Sequence, residues 1–199
     1  MNSIDAGARY TNVAVALHWL IAALVVAQLM LGWWMIEIPK QPVGVRASWF
    51  NLHKSIGMTI ALLVLMRIAW RFRHPPPPLP ACVPAWQRSA AAISHALLYT
   101  CLLGMPLAGL LGSTYSGYPI KYFGIPLPAW GYKSDPLKGF FSAVHLAFAW
   151  VFMTLIVLHT GAALKHLLIN RDAVFWRMWP RASTGAKRPV SAGYGGGRR

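Results

Sequence analysis

His145 and His159 stand fourteen residues apart within one long apolar stretch. On an α-helix of about 100° and 1.5 Å per residue that spacing completes nearly whole turns and climbs ~21 Å. Both imidazoles therefore point the same way at different depths. Two haem groups stacked across a membrane, each drawing an axial nitrogen from one helix face, require such an arrangement. Interior histidines that are merely hydrogen-bonded are the plainer alternative.

Six of the seven histidines lie in or beside apolar stretches, where an unpartnered imidazole is costly. His53 enters the second stretch at about the depth of His145, and His18 lies in the first at about the depth of His159. Each of these pairs would give an iron two neutral imidazoles, a ligand set that leaves no open position for oxygen and suits electron transfer. His95 shares the inner depth and competes with His18 on that criterion alone. His166, one heptad beyond His159, falls close to the inner interface. Either His95 or His166 suits a hydrogen bond to a quinone carbonyl or a haem propionate, while an interfacial imidazole facing headgroups is the plainer reading of His166. His74, beside a proline run, reads as a solvated loop residue.

Arg67 and Arg71, near the inner end of the second stretch, reach either the headgroups or the propionates of an inner haem. Lys54, Lys121, Lys133 and Lys138 gather on the outer side with only Glu37 and Asp135 as acidic company. Such a field concentrates a small anion near the outer haem; a solvated rim is the plainer reading.

These side chains need long apolar elements to position them, and the composition supplies them. The chain of 199 residues is 56% apolar with four acidic residues and a mean hydropathy of +0.45, beyond the usual range of a soluble domain. Stretches from about Ala14 to Ile36, Leu52 to Trp70, Ala90 to Leu111 and Phe140 to Leu168 each approach or exceed the ~20 residues that cross ~30 Å of hydrocarbon. The fourth is long enough to tilt or protrude. An all-α integral membrane four-helix bundle over residues 1–180 is predicted, with no room for a separate soluble domain. The first run is too long for a signal-peptide h-region, lacks a small-residue cleavage site and contains His18, so it is expected to stay in the mature protein.

The net charge of +15 does not point to nucleic acid, because the cations avoid the apolar stretches and form no recognition helix. Only Lys40, Arg46, Lys54, Lys121, Lys133 and Lys138 fall on one side; the other thirteen of the nineteen Lys and Arg fall on the side of the termini. The positive-inside bias places both termini in the cytoplasm, with the excess charge available to anionic lipid. Tryptophans near the helix ends read as interfacial belts. The run from Arg71 to Pro80 cannot be helical and makes a stiff basic connector. Gly104, Pro106, Gly109 and Gly112 mark a kinked third helix open to close approach by a helix or cofactor. Ser113 to Gly139 reads as an ordered outer loop able to cap the bundle, and residues 181–199 as a disordered basic tail. Cys82 and Cys101 differ too much in depth to pair. No C-x-x-C-H sequence occurs, so haem would be held without covalent attachment.

The segments ALHWLIA around His18, LHKSIG around His53, the R-x-x-x-R-x-R-x-P-P-P connector, SHALLY around His95, GYPIKYFG in the loop, AVHLAFAW around His145 and LHTGAALKH ending at His166 resemble the bacterial cytochrome b561 family. The resemblance extends from about Arg9 to Trp179. It implies a bundle of the bacterial inner membrane carrying two non-covalent b haems, ligated from the first, second and fourth helices by His18, His53, His145 and His159, with His95 outside the inner pair. The resemblance further implies one of two functions: oxidation of superoxide at the periplasmic face with reduction of ubiquinone, or an anchor and electron conduit for a partner dehydrogenase or hydrogenase; a quinol-reduced cytochrome is a third reading.

Overall fold

The computed structural model describes residues 9–40, 44–80 and 83–180; the expected basic tail and Cys82 lie outside them. Four helices carry the fold: α1 (Asn12–Glu37), α2 (Val45–Arg73), α3 (Ala85–Thr114) and α4 (Asp135–Lys165). Each is long and apolar enough to cross a membrane. Their outward surfaces match that solvent, since Met30, Met66, Val157 and Leu158 are all more than half exposed, a placement that hydrocarbon favours and water does not.

Local chemistry sets the ends. The Thr11 hydroxyl caps α1 by accepting from the Ala14 N–H at 3.3 Å, and the run of prolines after His74 stops α2. Pro136 occupies the first turn of α4, where its missing N–H costs no hydrogen bond. Helix α2 begins earlier than hydropathy predicts, because Arg46, Ser48 and Asn51 lower the apolar content of a turn that is still helical, and it ends later, Arg71 to Arg73 being helical rather than part of the connector; α4 likewise starts at Asp135, within the expected outer loop. Pro106 is accommodated within a continuous α3.

The tightest packing joins α3 to α4, followed by α1 to α2 and α2 to α3; α4 makes no comparable backbone approach to α1 or α2. Glycines explain the first pairing. A Cβ at Gly104 would meet the Phe148 ring at 2.7 Å, one at Gly109 the His145 ring at 2.9 Å, and one at Gly112 Phe141 at 3.5 Å. The small face of α3 thus lies antiparallel against α4 in a single register. At mid-height Ile21, Val25, Ile60, Val64, Cys101, Phe152 and Leu155 form the buried core.

Arg9 donates to the Trp176 carbonyl, so the two described chain ends share one end of the bundle, here the terminus end. The opposite, hairpin end carries β1 (Lys121–Tyr122) paired antiparallel with β2 (Ile125–Pro126). Phe123 (φ 46°) and Gly124 (φ 92°) form its tip, with positive φ at both central residues as a type I′ turn requires.

Candidate functional site

Histidine rings meet across the bundle at two levels. His53 of α2 faces His145 of α4 with ring centroids 6.2 Å apart, and His18 of α1 faces His159 of α4 at 6.4 Å. Two imidazoles that each reach a central metal through a bond of about 2 Å, with about 1.1 Å more from that nitrogen to the ring centre, stand roughly 6.3 Å apart. Both pairs fit an iron held between two axial histidines. His95 stands at the same level, its ring 5.5 Å from that of His159. Between the levels, the buried core excludes water.

The surroundings of the rings support ligation. His145 Nδ1 lies 2.8 Å from the Met105 carbonyl, so Nδ1 carries the proton and Nε2 keeps its lone pair for a metal. This contact depends on Gly109, where any Cβ would lie 2.9 Å from the same Nδ1. His53 Nδ1 is buried without a partner among the described residues, and its ring edge sits against Gly32, whose Cβ would come within 3.3 Å. Gln28, buried in α1, donates from Nε2 to the His53 carbonyl at 2.7 Å. It locks the backbone of that turn to α1, and the apolar character of the surrounding run hid it from the sequence analysis.

Arg67 donates through Nε to Tyr99 Oη at 3.2 Å and through Nη1 to the Ala14 carbonyl, joining α1, α2 and α3 beneath His18. Arg71 flanks it, in a small gap with Tyr10, Trp70, His74 and Tyr99, and also edges an open groove of about 460 Å³ lined by Ile68, Phe72, Pro75 and Pro76. His166 sits where α4 gives way to a π-helical turn, His166–Asn170. Its Nδ1 pairs with Asp172 Oδ2 at 2.6 Å, a local partner that the sequence analysis did not assign. His74 stacks on Trp70 at 4.0 Å.

At the hairpin end Lys54 is half-buried beside His53, while Lys121, Lys133 and Lys138 are exposed. None of the four forms an ion pair among the described residues. The hairpin is fastened to α2 by Ser55, 1% exposed. Its Oγ accepts from the Phe123 N–H at 2.9 Å and lies 3.2 Å from the Lys121 carbonyl. Ser55 is about 200° round α2 from His53, so Lys121 is anchored on the flank away from the ring and Lys54 is the nearest cation in sequence. Tyr122 Oη meets Thr59 Oγ1 at 3.1 Å on that flank. Neither serine nor tyrosine carried a sequence signal, because their partners lie more than sixty residues away.

Residues 9–181 match the family model described as prokaryotic cytochrome b561. The chain is 35% identical to cytochrome b561 homolog 2 of Escherichia coli K12, over 88% of this chain and 94% of that one. It is 28% identical to cytochrome b561 homolog 1 of the same organism, over 87% and 98%. It is also 26% identical to a probable superoxide oxidase, CybB, of Yersinia pestis, over 87% and 97%. With four membrane-length helices and these matches, the chain belongs to the prokaryotic cytochrome b561 family, bacterial multi-pass membrane proteins that use b-type haem for electron transfer.

Proposed function

We propose that the chain carries electrons across the bacterial inner membrane between two b haems, one held by His53 and His145 and the other by His18 and His159, with superoxide as donor and ubiquinone as acceptor. The observation that carries this reading is the pair of facing imidazole sets, 6.2 and 6.4 Å between centroids, at two levels of one bundle. Bound there, b haem supplies a one-electron carrier that alternates between ferric and ferrous iron. The chain's own part would be to supply two imidazoles to each haem, exclude water between the levels and hold the His145 ring in one tautomer.

Two superoxide anions give up one electron each and leave as dioxygen; one ubiquinone takes both electrons and two protons and leaves as ubiquinol. The donor is supported by the name of the Yersinia pestis relative and by four lysines at the hairpin end without ion pairs among the described residues. Their field raises the encounter rate of a small anion. The acceptor belongs near the terminus-end pair, where His95 stands beside His159, with His166 further along α4, and where Arg71 and Tyr99 line an otherwise apolar groove.

Stopped-flow mixing of the purified chain with superoxide, in membranes containing ubiquinone, tests the donor and acceptor together. Haem reduction is expected to precede ubiquinol formation. It should slow as salt rises, since the Debye length falls to ~10 Å at 0.1 M, and slow again when Lys121 and Lys138 are both changed to Gln. No reduction by superoxide would move the assignment to an electron conduit for a partner dehydrogenase or hydrogenase, or to a quinol-reduced cytochrome. Reduction indifferent to salt and to the lysines would remove the steering role.

A further inference from the structure

Past α4 and its π-helical turn, the chain makes a short 3₁₀ turn, Phe175–Arg177, and this turn holds a cation the electron-transfer scheme does not use. Arg177 is 5% exposed. Its Nη2 donates to the Pro77 carbonyl, its guanidinium carbon lies 5.6 Å from the centre of the Tyr10 ring, and Nε has no partner among the described residues. A desolvated guanidinium whose partners among the described residues are neutral is expensive to bury, yet here it is the point where three remote segments meet: the lead-in to α1, the proline connector after α2, and the C-terminal turn.

The turn that Arg177 anchors reaches a haem-ligand candidate through one tryptophan. Trp19 donates from Nε1 to the Met178 carbonyl at 2.7 Å and packs edge-on against Trp179 at 5.7 Å. On its other side the Trp19 ring meets the His18 ring, also edge-on, at 5.7 Å. Arg9 adds a further tie, donating to the Trp176 carbonyl. The result is a continuous physical chain from Arg177 through residues 175–179 to Trp19 and then His18.

We propose that Arg177 and Trp19 are positioning residues for the terminus-end haem: Arg177 fastens the C-terminal turn as a clasp, and the clasp, acting through Trp19, fixes the His18 ring and keeps water from that end of the bundle. This rests on the reading of His18 and His159 as a haem pair. Neither residue touches the reacting electron or the quinone. Opening the clasp would admit water beside His18, so a haem held there would fall in potential while one held by His53 and His145, at the other level of α4 (~21 Å of helical rise between His159 and His145), would keep its own.

The test is a redox titration of the purified full-length holoprotein, resolved into its two haem components, alongside hydrogen exchange of the backbone. Arg177→Met removes the clasp's anchor, and Trp19→Phe removes the indole donor and trims the ring that packs on His18 and Trp179, without changing charge. Both are expected to lower the potential of one haem alone, to alter the low-spin spectroscopic signature of that haem, and to speed exchange of amides at 175–179 by roughly ten-fold or more, the equivalent of about 1.4 kcal/mol. Arg177→Lys keeps a cation able to reach Pro77 and Tyr10 and should restore most of each effect. If Arg177→Met fails to fold, Trp19→Phe decides alone. Equal shifts of both haems, or a Trp19→Phe variant whose haems titrate as in the parent, would overturn the clasp. A parent protein with a single haem component would instead overturn the two-haem reading, and the clasp with it.

Discussion

His145 is the most firmly oriented of the ligand candidates, with Nδ1 at 2.8 Å from the Met105 carbonyl and Gly109 leaving room for the ring. Changing it to Ala should remove the hairpin-end haem and leave the other mostly intact, and His159→Ala should do the reverse; low-temperature optical spectra of the purified variants resolve the two losses. Variants that kept both haem signals would exclude those residues as ligands. His95→Ala should keep both haems and slow quinone reduction, because the family resemblance assigns the ligands to His18 and His159 and leaves His95 beside them, 5.5 Å from the His159 ring, free to bond a quinone. Loss of a haem in that variant, with the haem retained in His18→Ala, would exchange the two roles. Sequence spacing gave the depth of each histidine and the shared face of His145 and His159, which was enough to propose pairs by level. It could not separate His18 from His95, because ring-to-ring distance depends on how the helices pack.

The four spans were legible from composition because lipid demands runs of apolar residues, and a stop at the proline run was legible because prolines lack the donor a helix needs, although Arg71 to Arg73, expected outside the helix, still belong to α2. The hairpin was not. Its two-residue strands are too short for a periodic signal, and its register comes from Ser55 on another element. Ser55→Ala deprives the Phe123 N–H of its acceptor at a tip already held at positive φ. A loss on the order of 1–3 kcal/mol is expected there, read as at least several-fold faster hydrogen exchange across residues 120–127 with the amides of α1 to α4 unchanged. Unaltered exchange would mean that the hairpin is held by other contacts. The π-helical turn after α4 was likewise hidden, since the bond between His166 and Asp172 that closes it is local but aperiodic.

At the scale of the molecule, one bundle presents apolar side chains to lipid, a dry core at mid-height, and two chemically different ends. The end bearing both chain termini is tied by backbone acceptors and tryptophans, and the other bears the hairpin and lysines. The excess of Lys and Arg on the side of the termini leads us to place that side in the cytoplasm. An epitope added after Arg199 should resist protease applied to intact spheroplasts and be lost only after lysis; cleavage in intact cells would invert the assignment and put the lysine-bearing end beyond the reach of periplasmic superoxide. Electron transfer from one end of the bundle to the other requires both histidine pairs to be occupied at once. The most direct measurement is the ratio of non-covalent b haem to protein, by pyridine haemochrome and quantitative amino-acid analysis, on chain purified after haem-replete expression. Two haems per chain is the predicted result, and one haem per chain would contradict the account.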